Sequence, residues 1–292
     1  MNAYVQPYSR QQCALLADLA VEALIAEVNL TPKPALVDQR GNGAHDDLSL
    51  VLMEQSAHSL RPMFLQMAQA AFLHADCLQT LREVIGSIGR AGEAAMLETT
   101  QGVNTHRGAI WALGLLVTAT ALAIHHHSPI RAYDLCQHAG KIAKLEDRFI
   151  PQQPLSHGQQ VQQKLGAKGA KAQAQEGFPA IVEHALPQLH YSRQVYGNEL
   201  AARVDALLAL MSILDDTCVL YRAGQVGLTR MQKGARYVLR CGGYATVAGQ
   251  CALNFLEMDL MRLRASPGGA ADLLAATLFL DWVEHNLNEE GK

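Results

Sequence analysis

AIWALGLLVTATALAI, residues Ala109 to Ile124, is the longest apolar run in a chain of 292 residues. At sixteen residues it falls short of the roughly 20 that a helix needs to cross a bilayer, and Gly114, Thr118 and Thr120 interrupt it. A run of this length predicts a buried central helix around which the rest of the chain packs. Working outward, its C-terminal end carries His125-His126-His127. Consecutive side chains point in different directions, so these three suit the negative end of a helix dipole better than one metal ion. At its N-terminal end, Gln101 to Gly108 breaks helical patterning and brings His106 and Arg107 to the helix start.

Further helices are expected over Ser9–Val28, Asp46–Leu60, Pro62–His74, Cys77–Thr99, Ile130–Asp147 and Leu200–Leu214, and from Ser266 to about Asn286. Within Cys77–Thr99, the glycines Gly86, Gly89 and Gly92 predict close approach by a neighbouring helix. Sustained strand alternation is absent from the sequence, and the 5% aromatic content with abundant Ala and Leu favours packed helices. The expected fold is therefore all-α, one domain over residues 1–292 with about ten to thirteen helices. Pro151 to His157 is the best linker candidate, with no domain cut placed there.

A net charge of −3 supplies no basic field for nucleic acid or an acidic membrane. Six cysteines form neither a CxxC pair nor a framework, and the polar N-terminus MNAYVQPYSRQQ does not read as a signal peptide. A cytoplasmic protein with reduced thiols is the expectation. Its apolar helices leave room for a homodimer interface.

Chemistry gathers where helices break. In EVNLTPKPALVDQRGNGAHDD (Glu27 to Asp47), Pro32 and Pro34 predict a stiff loop presenting the Lys33 ammonium. Gly41-Asn42-Gly43 then turns the chain, and Asp46 and Asp47 are expected to open the next helix, either as caps or as site acids, with His45 at its mouth. Glu27 lies on the apolar line Leu16, Ala20, Ala23, Leu24, so it must point inward and needs a partner. Asn104 or Thr105 can cap the helix that follows, and the free amides there with Arg107 suit an anion. Gly166 to Lys171 combines glycine with Lys168 and Lys171 but is no Walker A motif. Asp215-Asp216 ends an apolar helix where the dipole disfavours acids, so either a divalent cation or an ion pair with Arg222 must stabilise them. Gly268-Gly269 leaves amides accessible at a helix start, or simply closes a loop.

These breaks, in this order, resemble the triphosphoribosyl-dephospho-CoA synthases. Thr31-Pro32-Lys33-Pro34-Ala35-Leu36-Val37-Asp38 with Gly43-Ala44-His45-Asp46-Asp47 is similar to their opening motif, and Gly102-Val103-Asn104-Thr105-His106-Arg107-Gly108-Ala109 to their GVNTHKGA segment. Gly169 to Pro179, Asp215-Asp216-Thr217 through Arg222, and Ser266-Pro267-Gly268-Gly269 through Leu274 resemble the remaining motifs. Departures are Ala35 for Gly, Cys218 for Asn, and Lys171-Ala172-Gln173 for the Arg-Gly-Glu of citrate lyase members, the last pointing to the malonate decarboxylase branch.

The resemblance implies a reaction of ATP with 3′-dephospho-CoA. The triphosphoribosyl group moves to the 2′-hydroxyl, adenine leaves, and the product passes to a holo-acyl-carrier-protein synthase. As adenine departs, C1″ becomes oxocarbenium-like, which calls for an acid, a base and cations around the triphosphate. On that reading Glu27, Asp38, His45 and His106 are candidates for acid and base work. Lys33, Arg107, Lys168, Arg222 and the amides near Gly268 and Gly269 are candidates for phosphate, and Asp46, Asp215 and Asp216 for Mg²⁺. Glu27→Gln and His45→Ala are expected to lose roughly 10²- to 10⁴-fold in turnover with the fold intact. Two other readings remain open: a Mg²⁺-dependent N-ribosyl hydrolase of the ADP-ribosylglycohydrolase type, which needs no acceptor, and a helical scaffold with no nucleotide site.

Overall fold

The computed structural model describes residues 7–151, 160, 161, 163 and 166–289. It is 75% helical, with no strand and eleven helices of ten residues or more among the described residues. In chain order these are α1 (Pro7–Asn29), α2 (Leu50–Ser59), α3 (Arg61–Leu73), α4 (Leu78–Thr99), α5 (Arg107–His125) and α6 (Ala132–Lys144). A one-turn helix, α7 (Ala170–Gln175), leads into a π-helical segment, Ala180–Ala185, continuous with α8 (Leu186–Tyr196). Then come α9 (Glu199–Ile213), α10 (Thr217–Arg240), α11 (Val247–Arg262) and α12 (Gly268–Glu289). Except for Pro151, the expected linker at 151–157 lies outside the described residues.

Helix α5 is the axis, as its composition predicts: every residue from Ala109 to Ala123 except Trp111 is buried. Its full length of 19 residues passes the length and hydropathy test for a membrane span, yet 78% of that window is buried against protein. Helices α1, α3, α4, α6, α7 and α12 all pack on it, and one contiguous apolar core runs from Cys13 to Val283. Such a core favours folding by about 25 cal/mol for each Å² of apolar surface removed from water. The α4 glycines do what their spacing implies. A Cβ at Gly92 would collide with the Met63 side chain of α3, which seats directly on the α4 backbone there. On the other side α9 packs against α8, α10 and α12, while α10 and α11 form an antiparallel pair.

One helix start lies a full turn from the sequence expectation, and α10, a helix that the sequence reading does not assign, carries a break. Helix α2 starts at Leu50, capped by Ser49 Oγ accepting from the Leu52 amide at 3.3 Å, so Asp46 and Asp47 lie in the preceding loop. Ser49 wins because its hydroxyl stands directly before the run Leu50 to Ser59. Helix α10 is broken at Gly224 (φ 60°, ψ −162°), a backbone state that glycine adopts without steric cost.

Candidate active site

Three of the expected residues form a buried foundation. Glu27 and Lys33 are 3% and 1% exposed, and the Lys33 ammonium donates to Glu27 Oε1 at 2.5 Å and to the Glu27 carbonyl at 2.7 Å. Glu27 thus has the partner that its inward phase demands. Asp38 sits beside them: its Oδ2 accepts from the Lys33 amide at 2.9 Å and from Arg40 Nε at 2.9 Å. Arg40 in turn forks onto Glu257 of α11 at 2.8 and 2.7 Å. Lys33 is accordingly not offered to solvent by a stiff loop; it neutralises Glu27 inside the protein, because an acid buried on α1 cannot stay unpaired.

His106 joins this layer at the start of α5. It is 2% exposed, and Ser56 Oγ lies 2.8 Å from its Nδ1 and 2.6 Å from Thr105 Oγ1. Burial, then the nearby Lys33 charge, depress its pKa to about 3, so the ring is neutral at pH 7. Its Nε2 is buried without a partner in the protein.

A more open layer holds His45. Its Nε2 lies 2.7 Å from Ser266 Oγ, and Arg222 donates to Nδ1 at 3.0 Å and to the Ala44 carbonyl at 3.3 Å. Because a guanidinium can only donate, Nδ1 carries a lone pair and Nε2–H donates to Ser266. Burial first, and then Arg222, hold the imidazole below its usual pKa, against the pull of Asp47 and Asp46.

Between the layers, three helix starts converge. Asp216 caps α10, its Oδ1 accepting from the amides of Cys218 at 2.9 Å and Val219 at 3.3 Å. The Asp216 Oδ2 accepts from the Ala270 amide at 2.9 Å, so the same carboxylate also caps α12. At Gly269 a Cβ would stand 3.0 Å from that oxygen, a tight contact that glycine avoids. On the first turn of α12, Asp272 reaches the start of α5, where it accepts from the Ala109 amide and lies so close over Gly108 that any side chain there would collide with it. Burial, and then Glu27 and Asp216, push the Asp272 carboxyl well above the usual carboxylate range. Asp272, Gly268 and Gly269 remain partly accessible and Cys218 is exposed, whereas Glu27, Lys33, His106 and Asp216 are buried. The accessible groups therefore lie over a buried, fully polar layer.

Several expected roles change in this geometry. Asp46, Asp215 and Asp216 do not form a metal centre: Asp46 turns outward to Arg264, Asp215 is exposed near Lys168, and both oxygens of Asp216 are occupied by amides. Among the described residues, no three His, Cys, Asp or Glu side chains are grouped to hold a metal ion. The amides at Gly268 and Gly269 are not free for phosphate either, since the first bonds the Ser266 carbonyl at 3.0 Å and the second faces Asp216. Lys168 is exposed and paired with Glu176 at 2.7 Å, and Arg107 is paired with Glu93, although the Arg107 Nε is buried without a partner. Glu27→Gln cannot be expected to leave the fold intact, because Lys33 would lose its counter-ion.

The sequence reading missed Ser56, Ser266 and Asp272. Asp272 carried a usable signal: an acid in the apolar opening of α12 needs a partner for the same reason that Glu27 does. Ser266 stood at the head of the quoted Ser-Pro-Gly-Gly segment without being given a role, and Ser56, a buried serine within α2, carried no signal.

A family model described as ATP:dephospho-CoA triphosphoribosyl transferase matches residues 13–291. A probable 2-(5″-triphosphoribosyl)-3′-dephosphocoenzyme-A synthase of Pseudomonas fluorescens is 59% identical over 269 residues, covering 92% of this chain and 91% of the relative. Proteins of the same description from Azotobacter vinelandii and Pseudomonas aeruginosa are 55% and 58% identical over 97% and 91% of this chain, which span 97% and 89% of those relatives. No solved structure matches the chain. With the family motifs gathered at the starts of α5, α10 and α12, and with the match running through almost the whole length, the chain belongs to the ATP:dephospho-CoA triphosphoribosyl transferase family.

Proposed function

We propose that this protein transfers the 5-triphosphoribosyl group of ATP to the 2′-hydroxyl of 3′-dephospho-CoA, releasing adenine and forming 2′-(5″-triphosphoribosyl)-3′-dephospho-CoA. The observation that carries the reading is the convergence of three helix starts on one accessible spot flanked by His45 and Arg222. Helix N-termini favour anions, and because Asp216 and Asp272 already occupy amides at these starts, a triphosphate beside them would be held by their residual dipoles together with the exposed Arg222. Arg222 is the mobile cation in this scheme: it is exposed, and its present partner is a neutral ring. Drawn onto a phosphate, it frees Nδ1 of His45 to take the acceptor's proton. Glu27, Lys33, Asp38 and His106 act beneath as a rigid, neutralised floor.

Mg²⁺ enters with ATP in this reading. It prefers phosphate oxygens, waters and one or two carboxylates, and Asp215 is the exposed acid at the edge of the site. The malonate decarboxylase branch is supported by Gln173, which occupies the position of the citrate lyase branch acid and whose Oε1 accepts from the Ala180 amide at 3.3 Å. A cytoplasmic location, delivery of the product to a holo-acyl-carrier-protein synthase and a homodimer belong to the same proposal.

The test is incubation of the purified protein with ATP, MgCl₂ and dephospho-CoA, followed by mass spectrometry for adenine and the triphosphoribosylated product. Adenine formation only with dephospho-CoA supports the transferase; adenine without it identifies an N-ribosyl hydrolase. Absence of both, beside an active relative as control, overturns the reading.

A further inference from the structure

Resting on the transferase reading, we propose that Asp272 is the acid that protonates the departing adenine. It is the titratable group that touches the start of α5 and faces both the buried Glu27 layer and the Asp216 cap, while remaining partly accessible. The Ala109 amide bonds the Asp272 carboxylate, and its Oδ2 packs so closely on the Gly108 backbone that a Cβ there would collide with it. A carboxyl so held has a fixed direction, and the residue keeps part of its surface accessible. A second observation at the same helix start is the buried His106, whose Nε2 has no protein partner.

The alternatives are worse placed. Glu27 is closed off by Lys33, Asp38 by Arg40 and the Lys33 amide, and Asp216 by amides on both oxygens. His106 is neutral with a depressed pKa, so it holds no proton to spare beyond its single N–H. The groups facing Asp272 are Glu27 from α1 and Asp216 and Cys218 at the start of α10; burial first, and then Glu27 and Asp216, push its pKa in the direction that keeps the carboxyl protonated.

The step balances as follows. The C1″–N9 bond of ATP breaks and its electron pair goes to the purine. The Asp272 O–H proton passes to a ring nitrogen of that purine, leaving Asp272 as carboxylate. The 2′-oxygen of dephospho-CoA forms the new bond to C1″, and its proton leaves to His45. Proton exchange with solvent after product release resets both groups.

The test separates proton delivery from mere helix capping. Asp272→Asn keeps the shape and replaces the acid with a neutral amide, so it should melt within a few degrees of the wild type. With ATP it should lose roughly 10²- to 10⁴-fold in kcat with little change in the KM for ATP. With 7-methyl-ATP, whose cationic purine leaves without being protonated, the variant should recover to within about tenfold of the wild-type rate on that substrate. Asp272→Ala assayed with added formic acid gives an independent check, since a small acid in the vacated space should restore part of the ATP reaction. Undiminished turnover of ATP by Asp272→Asn overturns the proposal. An equal loss with ATP and 7-methyl-ATP does the same and assigns Asp272 to capping α5. If the wild type itself makes no adenine, it is the transferase reading that fails.

Discussion

Lys33 stands at the point where reading and structure part most usefully. The sequence indicated an inward Glu27 that needed a partner, and a lysine clamped between two prolines; only coordinates joined the two facts. Both side chains are buried, so removing one strands the other charge in a low-dielectric interior. Lys33→Met should therefore cost about 3–5 kcal/mol, read as a lowered urea midpoint. The double variant Lys33→Met with Glu27→Met should recover much of that, because an apolar pair replaces the ion pair. His106 makes a second prediction at this scale. Its folded pKa is about 3 against the ordinary imidazole value of 6.5, so the unfolded chain takes up a proton that the folded one refuses. Stability from this group is complete above about pH 6.5 and declines toward pH 3, by up to roughly 1.4 kcal/mol per pH unit within that window. His106→Asn should remove that share of the acid sensitivity, visible as a shallower fall of melting temperature below pH 6 than in the wild type.

At the scale of helices, those with a clear apolar stripe or run were legible in the sequence, because that pattern is a property of the chain itself, whereas Leu186–Tyr196, Thr217–Arg240 and Val247–Arg262 were not assigned. The start of α2 was not legible either, since Asp46, Asp47 and Ser49 all satisfy the rule for a cap, and the choice is made by what each side chain can reach after folding. The same limit explains the glycines Gly268 and Gly269. A free amide at a helix start is an anion site only until another part of the chain supplies the anion, and Asp216 does so. Asp216→Ala should uncap α10 and α12 together and cost about 2 kcal/mol, at roughly 1 kcal/mol for each cap, in denaturant unfolding. Asp216→Asn, which keeps one carbonyl acceptor, should lose clearly less. A result in which both variants match the wild type would mean that the two helix ends are satisfied by water.

For the molecule as a whole, the net charge of −3 leads the reading away from a broad basic surface as the collector of polyanions. In the proposed function, helix dipoles aimed by tertiary packing and a few local cations take its place, an arrangement that no linear sequence displays. Fixed dipoles close to their ligand are screened less by salt than surface charges a Debye length away. Binding of ATP, followed by isothermal titration between about 0.05 and about 0.5 M NaCl, should thus weaken by less than tenfold. A steep fall would instead point to the exposed cations Arg230, Lys233 and Arg240 on α10.

The junction of α5, α10 and α12 also explains how such a fold waits between turnovers. Three positive helix ends brought together would repel one another, but the Asp216 carboxylate sits among them as a permanent lodger and the Asp272 carboxyl accepts from the third, so the polarity of the junction is answered from within the chain. The protein does not need its nucleotide in order to hold its shape, and the nucleotide does not have to assemble the room it enters.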